Sequence, residues 1–122
     1  MGVAQEVGDA GENFAFSFLK FKGFEILHKN WRTGKLEIDI IAKDGNKLVF
    51  VEVKSSIVLS EVFYPEDRVN IIKQKKIVRA AEKYLGQNPH IGPLRFDIVS
   101  VAITPLGRHL YYHPDAFFPM GT

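Results

Sequence analysis

From Leu36 to Lys43 the chain alternates with a period of two, Glu37, Asp39 and Ile41 on one face and Leu36, Ile38, Ile40 and Ala42 on the other, as a strand requires. Asp44, Gly45, Asn46 and Lys47 are turn formers. A second strand follows from Leu48 to Lys54, with Val49, Val51 and Val53 on one face and Leu48, Phe50, Glu52 and Lys54 on the other. Two pairing registers keep the aliphatic faces together. The one closed by a four-residue turn sets Lys43 opposite Leu48, Asp39 opposite Glu52 and Glu37 opposite Lys54. Directly opposed Cβ atoms lie about 4.5–5.5 Å apart, so this hairpin gathers three carboxylates and one ammonium.

The rest of the pattern arranges itself around that hairpin. From about Val3 to Lys22 a helix is predicted, because Ala4, Val7, Gly11, Phe14, Ala15, Phe18, Leu19 and Phe21 form one broad apolar arc that Gly23 ends. Phe24 to Trp31 reads as a strand with His28 inside it as a packed or half-exposed residue rather than a ligand, and Arg32, Thr33, Gly34 and Lys35 turn into the hairpin. After Lys54 the period fails, and Ser55 to Tyr64 reads as a loop at the mouth of a site. Pro65 holds Tyr64 extended, so the next helix starts there or at Asn70, a good cap. It runs to Leu85, buries Ile77, Ala80, Ala81, Tyr84 and Leu85, and stops at Gly86. Leu94 to Ile103 is apolar enough for a central or parallel strand. Thr104 to Gly107 turns into a last strand, Arg108 to Tyr112. The predicted architecture is a single α/β (α+β) domain: helix, three antiparallel strands, helix, strand, and an added terminal strand, in a mixed sheet flanked by helices. The aromatic tail, Tyr111, Tyr112, Phe117 and Phe118, is expected over an exposed edge or a partner chain.

Size and composition narrow the function classes. A chain of 122 residues is one domain that buries about two-thirds of its unfolded surface. With no cysteine, disulfides and thiolate zinc sites are excluded. His109 and His113 stand four apart in a strand-like run before Pro114, the wrong context for a helical metal pair. No apolar run is long enough for a membrane helix and no signal-peptide pattern is present, which makes the cytoplasm the expected location. A net charge of +2 says little; its distribution says more. Lys75, Arg79 and Lys83 follow at steps of four on the second helix, with Lys73 and Lys76 beside them, and Arg32 and Lys35 lie next to the acids. Such a stripe is either a solvated face or a footprint for nucleic-acid phosphates.

The acids themselves demand an explanation. Their face also carries Ile41, Leu48 and Phe50, so it is not simply wet. Two like charges about 5 Å apart repel by roughly 3 kcal/mol at an effective dielectric of 20, and Lys54 answers only one of three carboxylates. A divalent cation answers the rest, and oxygen ligands suit magnesium or manganese. Glu12 lies within the apolar arc of the first helix, where a carboxylate either snorkels to the edge or meets a partner. Gln74 projects toward the buried face of the second.

Asp39 followed by Glu52-Val53-Lys54 resembles the Asp, Glu-x-Lys pattern of restriction-endonuclease-like enzymes. In chain order, Gly11-Glu12, Asn30-Trp31-Arg32, Glu37-Ile38-Asp39-Ile40-Ile41-Ala42, Val49-Phe50-Val51-Glu52-Val53-Lys54, Tyr64-Pro65-Glu66-Asp67, Val69-Asn70 and Arg95-Phe96-Asp97-Ile98-Val99 resemble the motifs of the bacterial YraN family. That family is grouped with endonucleases and related to archaeal Holliday-junction resolvases. The resemblance implies a restriction-endonuclease-like core. It makes Asp39, Glu52 and the Val53 carbonyl metal ligands with Glu12 as a further one, Lys54 the residue that orients the attacking water, Gln74 a helper, and Glu37 the second acidic position. Leu36 stands where the family commonly has Gly, and Ser55-Ser56 where it has Thr-Arg, which removes a base beside the site. The expected activity is magnesium- or manganese-dependent hydrolysis of DNA, with branched substrates and a homodimer implied by the family relationship. The alternatives are a catalytically inactive module that binds nucleic acid or protein, and a purely structural interaction protein.

Overall fold

The computed structural model describes residues 2–58 and 69–117, apart from the Ala4 side chain. The expected features at Tyr64, Pro65, Glu66, Asp67 and Phe118 lie outside the described residues. Two helices, α1 (Val3–Phe21) and α2 (Ile71–Gln87), flank strands β1 (Glu25–Thr33), β2 (Leu36–Asp44), β3 (Lys47–Ile57), β4 (Leu94–Thr104) and β5 (Gly107–His113). The strands form one sheet in chain order, antiparallel except for the parallel pair β3 and β4, which the α2 crossover joins. This is the helix, three antiparallel strands, helix, strand order of the restriction-endonuclease-like core, with β5 added at the edge.

Each helix covers its own apolar layer. Ala15 and Leu19 of α1 pack on Ile40, Ala42, Val49, Val51, Val99 and Val101. Ile77, Val78, Ala81 and Tyr84 of α2 pack on Ile38, Ile41, Leu48, Phe50, Phe96 and Ile98. The sheet is therefore buried on both faces, as the continuous apolar runs of β3 and β4 require. Asn70 caps α2 by accepting the Lys73 N–H at 2.9 Å. Gly86 is inside that helix rather than past it, because the chain continues helical to Gln87.

Other expectations change. Phe21 is 90% exposed at the last turn of α1 rather than in its buried arc. Ser55, Ser56 and Ile57 are not loop but the end of β3, paired with Val101, Ala102 and Ile103. Ser55 lies close against α1: a Cβ on Gly11 would collide with its side chain. At the hairpin tip Asp44 pairs with Lys47, leaving Gly45 and Asn46 as a two-residue turn in place of four, with the Lys43–Leu48 register as expected. The aromatic tail packs within the chain: Phe117 stacks on Phe96 at 5.1 Å and Tyr112 meets Phe18 edge-on at 5.6 Å.

Candidate functional site

Asp39 sits where β2 changes phase. Leu36 and Ile38 pack in the α2 layer but Ile40 and Ala42 in the α1 layer, so the alternation predicted for one face breaks once, between Ile38 and Ile40. The β1–β2 ladder lacks a pair at Asn30 and Asp39, between Lys29–Ile40 and Trp31–Ile38, while its register shift lies further along, between Ile26 and His28. Asn30 adopts φ 52°, a left-handed conformation that Asn tolerates better than most residues. The β2–β3 ladder likewise stops at Ile40–Val51, so the expected Asp39–Glu52 and Glu37–Lys54 ladder pairs do not form. In their place the Val53 N–H donates to Asp39 Oδ2 at 2.8 Å. A side chain bridges the two strands where the backbone parts. Since the N–H and C=O of one strand residue point the same way, the Val53 carbonyl turns toward that gap too.

Glu52 projects beside Asp39 and is only 8% exposed. Burial, then a hydrogen bond with the Asp39 carboxyl and the Asp39 charge, push its pKa up to about 9 against the pull of Lys73. The Lys73 Nζ stands 3.2 Å from Glu52 Oε2. Burial opposes the Lys73 ammonium, but the charge and hydrogen bond of Glu52, with Asp39 and Glu37 behind them, raise its pKa. From the other helix Glu12 reaches the same place. Burial first, then the charges of Asp39, Glu37 and Asp9, raise it to about 7, with Lys29 opposing. Its Oε1 is buried with no hydrogen-bond partner among the described residues. The site thus draws carboxylates from α1, β2 and β3 and an ammonium from α2.

These residues suit a hard divalent cation by the chemistry of their donors and by the orphaned Glu12 oxygen. Among the described residues, no three His, Cys, Asp or Glu side chains form a ready-made cage. Magnesium does not need one, since it keeps several waters and takes one or two carboxylates.

A family profile described as "Uncharacterised protein family UPF0102" matches residues 11–101. The chain belongs to family UPF0102. A UPF0102 protein of Bacteroides thetaiotaomicron is 39% identical over 121 residues, 98% of each chain. One from Chloroherpeton thalassium is 39% identical over 114 residues, 91% of this chain and 88% of its own. One from Thermodesulfovibrio yellowstonii is 45% identical over 97 residues, 79% of this chain and 85% of its own. The YraN resemblance is the same family. The span matched to UPF0102 contains Glu12, Glu37, Asp39, Glu52, Lys54, Lys73 and Gln74 and ends before β5.

Within this UPF0102 fold the remaining candidates divide. Lys54 is half-buried on β3, two residues after Glu52 and paired with Ser100. Glu37 carries a long contact, 3.4 Å, with Arg32 Nε at the surface. The Gln74 amide turns back to its own helix start, donating to Val69 O at 2.7 Å. Lys35, Lys75, Lys76, Arg79 and Lys83 are exposed. Lys73, grouped with them by sequence, is instead the counter-charge of Glu52. Only its place in the first turn behind the Asn70 cap, facing the sheet, could have marked it.

Among the described residues no helix is long and apolar enough to cross a membrane.

Proposed function

We propose that this UPF0102 protein is a metal-dependent nuclease that hydrolyses phosphodiester bonds in DNA. The observation that carries the reading is the convergence of Glu12, Asp39 and Glu52 from three elements, with one carboxylate oxygen left unpartnered among the described residues and another carboxylate driven toward its protonated form. A purely structural acid cluster would leave no such oxygen, and the Glu12 Oε1 is one. Asp39 and Glu52 would hold magnesium or manganese with the Val53 carbonyl, and Glu12 would complete the set from α1. Bound there, the ion lowers the pKa of a water and offsets charge on the phosphoryl oxygens. Lys54 orients that water or shares the developing charge. Gln74, fixed at the start of α2, would help from that side, and Glu37 would serve as the second acid of β2. The exposed Lys75, Lys76, Arg79 and Lys83, with Arg32 and Lys35, position the phosphate backbone without reading bases. Shape then governs substrate choice, and a branched DNA cut by a two-fold dimer fits that rule. A cysteine-free chain acting on DNA fits the cytoplasm.

A catalytically inactive module that binds nucleic acid or a protein on the same fold is the second reading. The bonds that already occupy the acids, Val53 N–H on Asp39 and Lys73 on Glu52, favour it. Cleavage assays on linear, single-stranded and four-way DNA with magnesium or manganese separate the two. The nuclease gives products that Asp39→Ala and Glu52→Ala each abolish. Products that survive both substitutions defeat the assignment, and binding without products selects the module.

A further inference from the structure

Lys73 and Glu52 differ from an ordinary buried ion pair. The Lys73 backbone is fixed by the Asn70 cap, while its side chain is 47% exposed and tethered to Glu52 through its tip. A lysine stem is flexible and its ammonium is a compact point charge with three rotatable donors. Placed 3.2 Å from Glu52 Oε2, it occupies the kind of position a hard cation takes on a carboxylate oxygen. Ammonium and divalent ion cannot share that oxygen without repulsion. One must yield, and the half-exposed side chain can. Lys76 and Lys83 follow Lys73 by three and ten residues, on the same side of α2, so a released ammonium joins a row of exposed cations.

We propose that Lys73 is the placeholder of the metal-free site, holding Glu52 until a divalent cation takes that oxygen and then passing to a phosphate of the bound DNA. This rests on the metal-dependent reading above and adds a residue that positions both ion and substrate.

Titration calorimetry with manganese chloride tests it on the wild-type chain, Lys73→Met, Lys73→Gln and the control Lys47→Met, an exposed lysine at the hairpin tip. Removing the competitor tightens manganese binding by about tenfold in both Lys73 variants, the order of one displaced hydrogen-bonded charge, and leaves Lys47→Met near wild type. A purely structural lysine predicts the opposite sign. Unchanged or weaker binding in the Lys73 variants, or an equal gain in Lys47→Met, overturns the placeholder while the metal site stands. No manganese binding by wild type overturns both. The hand-over is read from duplex-DNA affinity against salt: in calcium chloride the slope for Lys73→Met falls by about one relative to wild type, and in EDTA it does not. Equal slopes in calcium overturn the second half.

Discussion

Among the described residues, two groups of charged side chains are buried, and they are built on opposite terms. Near the hairpin tip and β5, Asp97 is fully buried. Arg95 grips both its oxygens at 2.9 and 3.0 Å, the Tyr112 hydroxyl donates at 2.6 Å, and the Asp115 N–H at 2.8 Å. Arg95 extends the network to Asp44 at 3.0 Å, so β2, β4 and β5 meet in one satisfied cluster. At the other cluster Glu52 has a lysine and a carboxyl neighbour, and the inner oxygen of Glu12 finds no partner among the described residues. Low dielectric strengthens a complete network and penalises an incomplete one. The first cluster is complete within the fold; the second is incomplete among the described residues, the arrangement the proposed metal site calls for.

The largest effect expected from that contrast is at Asp97. Asp97→Ala leaves the Arg95 guanidinium, 14% exposed, without its main partner, together with an orphaned Tyr112 hydroxyl. Breaking a buried pair from one side costs about 3–5 kcal/mol. Urea unfolding should show that loss with no dependence on divalent ions; a loss under about 1 kcal/mol would remove Asp97 from the structural side of the comparison.

Glu52 should respond with the opposite sign. Its folded pKa, about 9, lies above the ordinary value of 4.5, so between those limits the folded chain holds a proton that the unfolded chain has released. Its contribution to stability is complete below about 4.5 and is lost as pH rises toward about 9. Glu52→Gln, neutral throughout, should match wild type near pH 4 and exceed it at pH 7–8 by about 1–3 kcal/mol in EDTA, since each tenfold difference in proton affinity between the folded and unfolded chain is worth about 1.4 kcal/mol. Thermal unfolding at both pH values checks this. Added magnesium should narrow the gap by stabilising wild type alone.

The contrast also explains what could be seen in the chain beforehand. The acids and their strands were legible because alternation is local: the hairpin register, the Asn70 cap and the parallel character of β4 all follow from neighbours in sequence. The phase break at Asp39 was not, because it depends on Asn30 across the sheet and on a side chain replacing a backbone bond. Ser55 looked like loop because its place is set by Gly11 on another element. Lys73 looked like one more surface base until α2 was laid over β3. Tyr112 passed for a patch-covering aromatic when its hydroxyl belongs to Asp97.

The smallest effect falls on a pair that belongs to neither cluster. Arg32 and Glu37 touch at 3.4 Å with side chains 72% and 36% exposed, where solvent and salt screen the attraction. Exposed pairs of this kind contribute about 0–1 kcal/mol. Arg32→Ala should therefore leave urea stability within about 0.5 kcal/mol of wild type. Its effect belongs to binding: if Arg32 meets a phosphate, DNA affinity should weaken alike for all sequences, and the salt slope should fall by about one. A change in slope without a change in stability would add Arg32 to the ligand-facing side of the molecule. A change in stability alone would place Arg32 with Arg95, as a residue whose charge is spent on the fold.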